Sequence, residues 1–216
     1  MSRAEPVQTA FKVCGITTES DARLVVDVGA DYIGFILYPK SPRYIAPERI
    51  REITSGLPSS VRRVGVFVNE SAADIARIME FCGLDIAQLH GDEPADVAHE
   101  LGVERVWKAC VLRTPHDVDL AMQYPAAAVL VDSITKGARG GTGQVGNWQL
   151  AADLAGRRRM ILAGGLGPEN ITDALRQVRP FAVDVNSGVE TAPGVKDHVR
   201  VREFARLVRL SESETQ

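Results

Sequence analysis

"RVGVFVNESAADIARIMEFCGLDIAQLH", residues 63–90, holds two short apolar runs separated by a segment of helical period. Within that segment Ile75, Ile78, Met79 and Cys82 recur at i, i+3, i+4 and i+7, which places them on one buried helix face. Ser71 and Asp74 stand in capping-box positions at its start. The flanking runs, "RVGVFV" (63–68) and "IAQLH" (86–90), read as strands. Strand, helix, strand is therefore the local unit.

The same unit recurs outward in both directions. Strand-like runs occur at "FKVC" (11–14), "YIGFIL" (32–37), "RVWKACV" (105–111), "AAVLVD" (127–132), "MILAGG" (160–165) and "FAVDVNSG" (181–188), making eight in all. Helical spacing joins Ala22, Val25, Val26 and Gly29, and again Ile171, Ala174, Leu175 and Val178. Thr18 and Asp21 mark a helix start, and Pro47, Pro94 and Pro168 suit first turns. Further helices are expected at about 47–55, 94–101, 115–123, 147–155 and 196–210. Alternation of this kind calls for parallel strands covered by helices, and eight repeats in one domain favour closure into a (β/α)8 TIM barrel, an α/β fold without sheet edges. An open doubly wound sheet is the alternative, but "VCGITTES" (13–20) lacks the glycine-rich dinucleotide fingerprint after the first strand. No linker interrupts residues 1–216, so one domain is expected, with flexible tails at about 1–8 and 211–216.

Composition narrows the function classes. The chain is 45% hydrophobic and 25% charged, enough for one continuous core, and its formal net charge of −3 supplies no field for nucleic acid. The basic run "GRRRM" (156–160) reads as a solvated helix-to-strand turn. Cys14, Cys82 and Cys110 are odd in number and lack C-x-x-C spacing, so neither a disulfide framework nor a zinc site is indicated, and a reducing cytoplasm is expected. Neither a signal peptide nor an apolar run of membrane-spanning length is apparent.

In a β/α barrel, chemistry sits where the strands end. Cys14 ends the first strand, His90 the fourth and Asp132 the sixth, while "AGGLGPEN" (163–170) and "NSGVE" (186–190) follow the seventh and eighth. Two adjacent glycine-rich ends offer backbone N–H groups to a phosphate, although Gly164 and Gly165 would also serve a tight turn. Cys14 could be a base, a nucleophile or a small core residue. Lys12, two residues earlier on the same face, could hold it as thiolate or could be absorbed by Asp184 from the eighth strand. Asp132 is a general-acid candidate if its surroundings raise its pKa, and otherwise a solvated turn residue. His90 could contact a ligand or be structural. Cys82 reads as core, Cys110 as a weaker rival for the thiol, and no His, Asp and Glu cluster has metal-site spacing.

With these residues noted, the chain resembles the phosphoribosylanthranilate isomerase family of tryptophan biosynthesis almost end to end. The resemblance rests on "KVCGIT" (12–17), "GFILYPKSPRYI" (34–45), "GVFVN" (65–69), "QLHGDE" (88–93), "LVDS" with "GGTG" (130–143), "LAGGLGPENI" (162–171) and "DVNSGVE" with "PGVKD" (184–197). It implies a cofactor-free Amadori rearrangement of N-(5-phosphoribosyl)anthranilate, an aminoaldose, to 1-(2-carboxyphenylamino)-1-deoxyribulose 5-phosphate. Family correspondence makes Asp132 the acid on the furanose oxygen and Cys14 the base at C2′. It gives Arg43 the anthranilate carboxylate, places Asp184 near the base, and assigns phosphate to Gly164, Gly165, Ser187 and Gly188. "KGARGGTG" (136–143) corresponds to a mobile loop. Asn186 departs from the family, where serine is commoner. The expected partner is the small phosphosugar substrate, with no nucleic acid, membrane, metal or cofactor, and the chain is expected as monomer or homodimer. The histidine-pathway isomerase resembles the chain less, since its first-strand base is an aspartate. A non-catalytic phosphosugar-binding barrel would need neither Cys14 nor Asp132.

Overall fold

The computed structural model describes residues 9–132 and 148–213. Eight parallel strands close in chain order: β1 (Ala10–Val13), β2 (Tyr32–Ile36), β3 (Arg62–Phe67), β4 (Ile86–Leu89), β5 (Val106–Cys110), β6 (Ala128–Asp132), β7 (Met160–Ala163) and β8 (Ala182–Val185). Closure is made by β8 on β1, with Lys12 beside Asp184 in the register. The helices between and after them are α1 (Glu19–Asp27), α2 (Pro47–Ser55), α3 (Ala72–Cys82), α4 (Ala95–Leu101), α5 (Pro115–Gln123), α6 (Trp148–Ala155), α7 (Ile171–Val178) and α8 (His198–Ser213).

Local chemistry sets these boundaries. Thr18 and Ser71 each accept the backbone N–H three residues on, from Asp21 and Asp74, and so start α1 and α3. The Asp21 carboxylate does not complete a reciprocal box, and its Oδ1 instead meets His198 Nε2 at 2.8 Å. Pro47 is the first residue of α2, whereas Pro94 caps α4 and Pro168 lies in the turn before α7. The last helix begins at His198 rather than 196. Residues Val195–Lys196 form β10, which pairs antiparallel with β9 (Glu190–Ala192), and Asp197 caps the helix by accepting from Val199 and Arg200. It also runs to Ser213, past the expected end at 210. The expected tail 1–8, the end of the other at 214–216 and the loop 136–143 lie outside the described residues.

Strand alternation sorts the residues into two cores. Outward-facing side chains such as Phe11, Ile33, Phe35, Phe67, Leu89 and Val183 pack under the helices. Inside the barrel a separate cluster holds Tyr32, Val64, Ile86, Trp107, Ala128 and Ile161, with Tyr32 edge-on to Trp107 at 4.8 Å between ring centres. One or two steps further along the same strands the inward residues turn polar: Lys12 and Cys14, Gln88 and His90, Asp132, Asp184 and Asn186. That change marks the C-terminal mouth of the barrel.

Candidate active site

A cavity of about 300 Å³ opens at this mouth. Its wall includes Cys14, Gln88, His90, Asp132, Asp184, Asn186 and Ser187, with Gly164 and Gly165 between β7 and α7. Residues at or just beyond the ends of seven of the eight strands thus share one space. Of the nine site residues expected from the sequence, Arg43 and Gly188 are not part of the wall. Arg43 comes from the turn between β2 and α2 and stands behind Gly15, where an added Cβ would lie 3.0 Å from Arg43 Cδ. Gly188 is packed under the β7 loop, since a Cβ there would meet the Leu166 carbonyl oxygen at 1.9 Å. Its direct reason is the close approach of two loops.

Cys14 follows β1 and is 4% exposed. Burial pushes its thiol upward in pKa, and the pull of Lys12 and Lys196 only partly offsets that rise. The two readings of Lys12 are now distinguishable, for its Nζ donates to both Asp184 oxygens at 3.0 and 3.1 Å in a buried pair. Burial alone would lower the Lys12 ammonium, but Asp184 and Cys14 together outweigh it and hold it protonated. Gly34 makes room for this arrangement. A Cβ at Gly34 would fall 2.9 Å from both Cys14 Sγ and Lys12 Nζ.

Across the cavity, Asp132 ends β6 and His90 follows β4. The Gln88 amide donates to His90 Nδ1 at 3.0 Å, so the neutral ring carries its hydrogen on Nε2. Burial lowers the His90 pKa despite the nearby Asp132 charge. Gln88 itself is 1% exposed, and among the described residues its Oε1 has no hydrogen-bond partner. Sequence reading passed over this glutamine, although it precedes His90 by the same two residues that separate Lys12 from Cys14.

Gly164 and Gly165 have φ of 88° and 61°, so the tight turn is real. The same turn sets the loop backbone against the cavity beside Ser187. On α8, Arg200 donates to the Gly188 carbonyl at 2.9 Å and pairs with Glu169 at 2.6 Å, tying the two glycine loops together. The β3 and β4 loops differ. There the Glu93 carboxylate accepts from the Asn69 and Gly91 backbone N–H groups at 2.9 and 3.0 Å and from Lys108 at 2.8 Å. Those amides are already committed. Among the described residues, no group of three or more His, Cys, Asp and Glu could hold a metal ion.

A family model for N-(5′-phosphoribosyl)anthranilate isomerase matches residues 11–206. This chain belongs to that family. An N-(5′-phosphoribosyl)anthranilate isomerase of Thermotoga neapolitana is 47% identical over 200 residues, covering 92% of this chain and 97% of the relative. A monomeric form of the dimeric isomerase of Thermotoga maritima superposes with a TM-score of 0.83 at 41% identity, covering 93% of this chain and 98% of that one. A phosphoribosyl anthranilate isomerase in complex with reduced 1-(o-carboxyphenylamino)-1-deoxyribulose 5-phosphate gives 0.83 at 40% identity, with coverage of 93% and 98%. Membership in the isomerase family thus agrees with a closed barrel whose polar groups gather at one mouth.

Proposed function

We propose that this chain isomerises N-(5′-phosphoribosyl)anthranilate to 1-(2-carboxyphenylamino)-1-deoxyribulose 5-phosphate, a step of tryptophan biosynthesis, by acid and base groups of its own. The observation that carries the reading is that Cys14 and Asp132, 118 positions apart in sequence, line one cavity together with the β7 glycine loop. The loop backbone at Gly164–Gly165 and Ser187 holds the phosphate and fixes the sugar between the two groups. Asp132 gives a proton to the furanose oxygen as the C1′–O bond breaks, and the nitrogen lone pair forms a protonated Schiff base. This cation lowers the cost of losing the Cys14 proton to solvent, which burial opposes in the resting site. The thiolate then takes the C2′ proton, and the resulting enolamine tautomerises to the ketose. Acid therefore acts before base.

Arg43 meets the anthranilate carboxylate from beside Gly15, and Asp184 keeps Lys12 charged next to the base. The two-phosphate substrate of the histidine pathway is disfavoured, because Glu93 occupies the β3 and β4 loop amides that a second phosphate would need. No helix among the described residues is long and apolar enough to cross a membrane, in keeping with a cytoplasmic enzyme. A homodimer is the assembly suggested by the Thermotoga maritima relative. The direct test follows loss of substrate fluorescence. Cys14→Ala and Asp132→Asn should each slow turnover by about a hundredfold or more. A near-normal rate in either variant removes that residue from its role.

A further inference from the structure

One largely buried charged cluster beside the cavity neither gives nor takes a proton in that scheme. Glu190, the first residue of β9, is 4% exposed in its side chain, and Lys196 of β10 is 0% exposed. Glu190 accepts from Arg43 Nε at 3.0 Å and from Arg43 Nη2 at 2.7 Å, from Lys196 Nζ at 2.8 Å, and from the Gly194 N–H at 3.2 Å. Lys196 also donates to Asn186 Oδ1 at 3.0 Å, which ties the β8 loop to the cluster. Two cations therefore share one carboxylate. The trio sets two cationic side chains against one carboxylate beside the cavity, with Arg43 20% exposed and Lys196 fully buried, so a second anion would balance the charge.

The contacts also define where that anion would sit. A guanidinium presents five N–H donors in a planar fork. Glu190 takes the Nε and Nη2 edge, while among the described residues Nη1 donates to no protein group. We propose that Glu190 is the positioning residue that makes the site selective for a carboxylated substrate: it locks Arg43 by one edge, and the other edge is left for the ligand's carboxylate. Lys196 cancels the Glu190 charge, which would otherwise repel the incoming group. This rests on the reading of Arg43 given above.

The test uses two stable ligands, reduced 1-(2-carboxyphenylamino)-1-deoxyribulose 5-phosphate and its phenyl counterpart lacking the carboxylate, with binding measured by calorimetry. Wild type should prefer the carboxylated ligand by at least about tenfold, the scale of a hydrogen bond to a charged group. Glu190→Gln should lose most of that preference while binding the phenyl ligand as wild type does, and Glu190→Asp, with a retracted carboxylate, should fall between. Equal weakening of both ligands by Glu190→Gln would make the residue a mere brace for the hairpin and overturn the proposal, as would an unchanged preference. Should Glu190→Gln not fold, a Glu190→Asp preference equal to wild type overturns it. Arg43→Ala separates the two levels: a preference abolished by Arg43→Ala but kept by Glu190→Gln sinks only the role of Glu190. One that survives Arg43→Ala sinks the reading of Arg43 itself.

Discussion

The lower and upper halves of the barrel interior are built by the same strands, yet they are held together by different physics. Below lie Tyr32, Ile86, Trp107, Ala128 and Ile161, an apolar plug without ionisable groups that could take part in proton transfer at neutral pH. Above, within two to four residues along β1, β4, β6 and β8, stand Lys12, Cys14, Gln88, His90, Asp132 and Asp184. Polar groups withdrawn from water in this way destabilise the fold unless they are paired. The upper half therefore survives by pairing, as in Lys12 with Asp184, and among the described residues pairing is incomplete at the buried Gln88 Oε1. Stability and reactivity are thus separated by one turn of strand alternation rather than by distance along the fold.

The sharpest way to break this contrast is Lys12→Met. It leaves the Asp184 carboxylate buried without a partner, and a loss of about 3–5 kcal/mol in urea unfolding is expected. Adding Asp184→Leu should restore most of the lost stability, because the pair rather than either charge is what the fold requires. A single variant as stable as wild type would show that the upper half is not held by pairing. In the lower half, Ile86→Ala should cost about 3 kcal/mol by leaving a cavity. Its folded fraction should nonetheless turn over at the wild-type rate, and a fall in turnover would mean that the plug also positions the site.

Much of this was legible beforehand because strand period and strand order are local signals. The run at 63–90 and its repeats led to a closed barrel, and barrel closure alone brings Cys14 and Asp132 to one mouth and sets Lys12 beside Asp184. Gln88 obeys the same period and was legible in principle, two residues before His90. Glu190 and Lys196 were not. They sit on a short hairpin where spacing carries no face information, and residue 196 was expected to begin a helix. The partnership of Arg43 with Glu190 spans 147 residues and joins two irregular segments, so only coordinates reveal it.

The smallest expected effect concerns His90 and its pH response. Burial depresses its pKa below the usual imidazole value, while the unfolded chain titrates near that value, about 6.5. Between the two, the unfolded state binds more protons than the folded one, so stability is full above the unfolded pKa and is lost as pH falls through this window. Carboxylates mostly titrate lower, which leaves the window readable. His90→Asn should flatten the slope of unfolding free energy against pH there, and nitrogen-15 spectra of the wild type should show hydrogen on Nε2 at neutral pH, fixed by the Gln88 amide at Nδ1. Hydrogen found on Nδ1 would mean that the amide does not face the ring as a donor. An unchanged slope would mean that His90 charges freely inside the cavity. Either result would make this corner of the upper half wetter than its buried neighbours, and would move the boundary between plug and site down to Gln88.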